Sequence, residues 1–230
     1  MFSPMSSFNP YTKAVILNNE GAAMIEVGNF VGSRIAFKKA LHLLRSIEQP
    51  EKQPRQCESR STVHFRWSSK TALSSKHHLN CSNSSSFIYR RALLILPSNT
   101  SESNSCHTAE TATILYNLSL SLHLEGHISN TSSLLKRSIK AYRITLLFQK
   151  KVNLQNKFRG GGLLGVAINN NMAMVHQEFM EYSAAHDCFS AVSRGMRRLR
   201  ITGHLEHNEY QGLILNLMMN TQHKNLAAAA

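Results

Sequence analysis

Three asparagines recur at one place in a phrase that the chain writes three times. The copies read AVILNNEGAAMIEVGNFVGSRIAFKKAL from Ala14, ATILYNLSLSLHLEGHISNTSSLLKRSI from Ala112 and VAINNNMAMVHQEFMEYSAAHDCFSAV from Val166. The repeated residue is Asn19, Asn117 and Asn171, and the residue before it is Asn18, Tyr116 and Asn170. A carboxamide carries both a donor and an acceptor, so a row of them can hold the backbone of an extended peptide whatever its side chains. The same residue type also bonds neighbouring backbone or caps local turns. Residue type alone leaves both readings open.

Other chemistry has little to stand on. The chain lacks a glycine-rich phosphate loop, an H-E-x-x-H pair and a nucleophile elbow. Gly160-Gly161-Gly162 lacks the Lys-Ser/Thr that follows in a phosphate cradle, and reads as a linker. His123, His176 and His186 fall on predicted helices with no acid three or four residues away, so they read as surface or groove histidines. Cys57, His64, His77, His78 and Cys81 match no standard zinc spacing. The expectation is a protein that is not an enzyme and holds no metal or cofactor.

The elements that would position the asparagines are helices in pairs. Asn9-Pro10 is a cap followed by proline at the first helical position. From there Ala14, Leu17, Gly21 and Met24 lie on one face, and Gly28-Asn29 stops the helix and starts the next. Gly126 is the expected break in the second copy, with Ile128 opening the returning stripe. Met180 stands in the third copy where glycine would be expected. This assigns 1–48, 108–149 and 163–201 to three helix pairs. Residues 49–107 form a Ser-rich, largely disordered insert with a short extended segment at 87–96, and residues 51–86 are expected to be exposed and mobile. Residues 150–162 are a basic, glycine-ending linker. Residues 204–222 are a capping helix that packs Leu213, Ile214, Leu217 and Met218 on the third pair, and 223–230 is a fraying tail.

The phrase resembles the tetratricopeptide repeat, in the style of the kinesin-light-chain repeats. Copy one supplies Leu17, Gly21, Met24, Gly28, Phe30, Ser33, Phe37 and Ala40. Copy two supplies Leu115, Ser119, Leu122, Gly126, Ile128, Thr131, Leu135 and Ser138, and copy three Ala173, His176, Tyr182, Ala185, Phe189 and Val192. Tandem copies of that family recur every ~34 residues, whereas Gly28, Gly126 and Met180 are far wider apart, so long inserts separate the units. The resemblance implies an all-α stack of about three helix pairs with a C-terminal capping helix. It places Asn19, Asn117 and Asn171, with Asn18, Tyr116 and Asn170, in a concave groove that faces solvent when empty. It implies a protein–protein interaction module, an adaptor or assembly scaffold for an extended peptide. No groove position is Lys or Arg, which argues against clamping acidic chaperone tails.

Charge supports a rival. Lys and Arg number 26 against 13 Asp and Glu. Lys38, Lys39 and Arg45, then Lys136, Arg137, Lys140 and Arg143, then Arg194, Arg197, Arg198 and Arg200 fall on second helices, the outer face of such a stack. That is a solvated surface or a docking stripe for an acidic protein or an RNA backbone, and nucleic acid is not the favoured partner. Phe65 and Trp67 near Arg66 are the aromatics that stacking would want. Apolar runs such as Ala92–Leu96 fall far short of the ~20 residues that span a bilayer. Cysteines without a disulfide-framework spacing and a start unlike a signal peptide give the expectation of an intracellular, cytoplasmic chain.

Overall fold

Each helix pair is joined by one left-handed residue. Gly28 has φ 79, Asn130 φ 50 and Met180 φ 57. The second helix starts two residues later in every case, at Phe30, Ser132 and Tyr182. Around each turn two amides reach back in the same way. Asn29 N–H donates to Met24 O and Gly28 N–H to Ile25 O; Thr131 and Asn130 do the same to Gly126 and His127, and Glu181 and Met180 to His176 and Gln177. This pair of bonds satisfies carbonyls that the helix end would leave open, and it needs a left-handed residue between them.

The computed structural model describes residues 9–47, 64–68, 87–96, 107–154, 161–202 and 207–229. Its helices are α1 (Pro10–Glu26), α2 (Phe30–Ile47), α3 (Thr108–Ile128), α4 (Ser132–Leu154), α5 (Gly161–Glu178), α6 (Tyr182–Thr202) and α7 (His207–Ala229). Strands β1 (Phe65–Trp67) and β2 (Leu93–Ile95) pair antiparallel, with Arg66 opposite Leu94. The fold is all-α apart from this two-stranded ribbon. Asn9 caps α1, its Oδ1 accepting from Tyr11 N–H at 3.0 Å.

The helices pack in sequence order, α1 on α2, α3 on α4 and α5 on α6, with α2 on α3, α4 on α5 and α6 on α7 between them. Counted from the left-handed residue, the ninth position is Phe37, Ile139 or Phe189 and the twelfth is Ala40, Tyr142 or Val192; all six are buried. Gly21 lets α2 approach, since a Cβ there would sit 2.6 Å from the Phe37 ring. Between units, Ser33 Oγ on α2 meets Ser121 Oγ on α3 at 2.6 Å.

Several expectations need correction. The second break is not at Gly126: α3 runs to Ile128 and Asn130 takes the left-handed conformation. Asparagine tolerates that conformation better than most residues, and Gly126 instead provides room for Leu135, 3.0 Å from a would-be Cβ. The 150–162 linker is shorter than expected, because α4 reaches Leu154 and α5 begins at Gly161. The backbone of α7 stays helical through Ala229, over residues expected to fray; alanine has the best helix propensity. On α7, Leu213 is buried and Ile214 and Leu217 pack on the core, but Met218 is 59% exposed. Part of the Ser-rich insert is ordered, since residues 64–68 carry β1. Trp67 explains this. It packs edge-on against Tyr89 and Tyr116, with centroids at 5.1 and 5.7 Å, and one large aromatic supplies the apolar area of several aliphatics. The rest of 51–86 lies outside the described residues.

The turn geometry gives a stability prediction. Met180 is 72% exposed and left-handed, so Met180→Gly removes backbone strain and no packing. It is expected to raise the unfolding free energy by about 1 kcal/mol, and Gly28→Ala to lower it by a similar amount. Chemical denaturation checks both; a Met180→Gly protein less stable than the parent contradicts the assignment.

Candidate functional site: an asparagine ladder on an extended segment

Residues 87–95 run extended along the face formed by α1, α3, α5 and α7. One asparagine from each helix grips the segment by N–H and C=O of the same residue. Asn19 Oδ1 accepts from Ile95 N–H at 3.0 Å and its Nδ2 donates to Ile95 O at 2.9 Å. Asn117 does the same to Leu93 at 2.8 and 2.7 Å. Asn171 holds Tyr89 at 2.8 and 2.9 Å, and Asn216 holds Phe87 at 2.9 and 2.7 Å. Each amide's orientation is fixed, because an N–H must meet Oδ1 and a C=O must meet Nδ2.

A second tier links the rungs. Asn18 Nδ2 donates to Leu93 O at 3.1 Å, and Asn117 Nδ2 donates to Asn18 Oδ1 at 2.9 Å. The arrangement repeats four helices on: Asn170 Nδ2 donates to Phe87 O at 2.9 Å, and Asn216 Nδ2 to Asn170 Oδ1 at 2.7 Å. Tyr116 holds the same place beside Asn117 that Asn18 and Asn170 hold beside their partners. Its hydroxyl donates to Arg91 O at 3.0 Å. All six residues singled out from the sequence therefore converge on one segment of the same chain.

Their surroundings differ from the expected open groove. Asn18, Tyr116, Asn117, Asn170 and Asn171 have no exposed surface, and Asn19 is half-buried. The site also reaches the second helices, where Asn171 Nδ2 donates to the Tyr142 hydroxyl at 3.1 Å. Tyr142 faces His123 Nδ1 at 3.5 Å. Burial raises the Tyr142 pKa, so the phenol keeps its proton. Burial, aided by His127 and Arg90, pushes His123 down to about 3, so that ring is neutral. His123 and His176 are buried rather than on the surface; His176 Nδ1 meets Glu181, five residues on. Neither reads as a free acid or base.

Asn216 and Glu209 escaped the sequence reading. Both lie on α7, whose LILNLMMN carries the apolar-asparagine wording of the first helices. Phe65 and Trp67 are not free for base stacking, since both pack on the core. The cations at Lys38, Lys39, Arg45, Lys136, Arg137, Lys140, Arg143, Arg194, Arg197 and Arg198 are exposed on α2, α4 and α6; the Arg200 side chain lies outside the described residues. Of the candidate metal residues only His64 is described. Among the described residues no three metal-binding side chains come together, and no helix is long and apolar enough to cross a membrane.

Burial makes the ladder testable by stability. Asn117→Ala strips the buried Leu93 amide of its acceptor, and an unsatisfied buried group costs about 1–3 kcal/mol. Asn19→Ala, at the half-buried end, is expected to cost less. Denaturant titration of both variants checks this, and an Asn117→Ala protein as stable as the parent contradicts it. The chain itself supplies all of these relations: comparison with known proteins finds no matching family model, no matching curated protein and no matching solved structure.

Proposed function

We propose that this chain is a tetratricopeptide-like helix-pair protein that serves as a protein–protein interaction module, an adaptor or assembly scaffold. Its concave face takes an extended peptide by the backbone. One observation carries the reading: α1, α3, α5 and α7 each present an asparagine that binds both polar groups of one residue on the same edge of an extended segment. A clamp of that kind is indifferent to side chains and suits a peptide ligand. The three equivalent turns and the buried positions nine and twelve residues after them support the repeat resemblance.

In the resting chain the face is taken by residues 87–95, so an outside peptide competes with a tethered one. Tethering gives an effective concentration on the order of millimolar, which keeps weak ligands out. The alternative, an RNA-associated helical repeat, draws on the exposed cations of α2, α4 and α6, but its stacking ring Trp67 is packed against Tyr89 and Tyr116.

The test is to empty the face and refill it. Residues 87–96 of the full chain are replaced by alternating Gly and Ser, and a labelled peptide of sequence FIYRRALLIL is titrated in. Saturable binding is expected, weakened about tenfold or more when Asn117→Ala and Asn171→Ala are added. Absence of binding, or binding unchanged by the two substitutions, contradicts the proposal.

A further inference from the structure

The ladder skips one residue, and at that residue a side chain is read instead. Asn216, Asn171, Asn117 and Asn19 hold Phe87, Tyr89, Leu93 and Ile95, in steps of two, four and two. Arg91 falls in the wide step. Its carbonyl accepts from the Tyr116 hydroxyl, its Nε donates to Ser68 O at 2.8 Å, and its Nη1 meets Glu209 Oε1 at 2.9 Å. The Tyr89 hydroxyl donates to the same carboxylate oxygen at 2.8 Å. Glu209 is 7% exposed.

A backbone clamp cannot choose its register. Every second residue of an extended chain offers the same N–H and C=O on the same edge, so a slip of two residues would satisfy the asparagines equally well. The buried Tyr89, Leu93 and Ile95 side chains limit that slip by packing, and Glu209 adds a charge requirement. A slip in either direction brings Tyr89 or Leu93 to the place of Arg91 and takes the guanidinium away from the buried Glu209 carboxylate, a costly change. Arginine suits the place better than lysine, because two N–H groups of one rigid fork serve two different acceptors, Ser68 O and Glu209.

We infer that Glu209 sets the register and the specificity of this face, and that the peptides it accepts carry an arginine two residues after a tyrosine, with aliphatic residues following at the Leu93 and Ile95 places. This rests on the peptide-binding reading above and adds a sequence requirement to it.

The experiment uses the full chain with residues 87–96 replaced by alternating Gly and Ser. Four peptides are compared: FIYRRALLIL, and the same peptide with Arg91→Lys, Arg91→Met or Arg91→Glu. Affinity and the peptide-dependent rise in Tm are both read, so a chain that folds only with peptide still reports. The Arg91→Met peptide is expected to bind about 10- to 100-fold more weakly than the parent, with Arg91→Lys between them. Glu209→Gln in the chain is expected to erase that difference, and Glu209→Arg to prefer a peptide with Arg91→Glu. A purely structural Glu209 would change stability without changing the order of the peptides. Equal binding by the parent and Arg91→Met peptides overturns the inference and leaves the clamp standing. Failure of every peptide to bind or to raise Tm overturns both.

Discussion

A strand has two edges, and both must be satisfied when the strand is buried. Residues 92–96 meet that demand on one edge by ordinary pairing: Ser68 N–H donates to Ala92 O at 2.8 Å and Leu96 N–H to His64 O at 2.9 Å. The other edge faces helices, whose backbone groups are already used. Only side chains can answer it, and each must offer a donor and an acceptor together. Asparagine does this with two rotatable bonds, so less freedom is lost than with glutamine. The column of carboxamides acts as the missing strand.

Spacing explains why a helix stack can do this. Eight residues separate Phe87 from Ile95, about 26 Å at about 3.3 Å per residue. Over that length α1, α3, α5 and α7 each reach the segment once, at Ile95, Leu93, Tyr89 and Phe87. The steps along the segment are two, four and two residues. Tyr116 serves the long step, its hydroxyl donating to Arg91 O at 3.0 Å. The Asn18–Asn117 and Asn170–Asn216 bonds serve the short ones.

Much of this was legible in the chain, and the limits are physical. The asparagines stood out because each belongs to a local phrase, and helices and caps are local too. What they bind was hidden, since Asn19 and Asn171 find their backbone partners 76 and 82 residues away, and such pairing leaves no periodic trace. Phe87–Leu96 read as extended, yet nothing in its own residues tells a loop from an occupant of the stack. Asn130 was passed over because glycine is the usual left-handed residue and Gly126 lay nearby. β1 was missed because a single tryptophan in a Ser-rich stretch gives no alternating pattern. Asn216 is hidden because the apolar pattern of α7 is that of a capping helix. The helix packs on α6 with Leu213 buried, and it also carries the rung at Phe87.

The central claim is that side-chain amides hold residues 87–95 as a strand would. Amide hydrogen exchange of the full chain tests it most directly at Phe87 and Tyr89, which lie outside β2 and whose N–H groups are bound by Asn216 and Asn171. The account predicts that both exchange slowly, in step with Leu93 and Ile95. Exchange of Phe87 and Tyr89 at the rate of an unfolded chain, with Leu93 and Ile95 still protected, would contradict it.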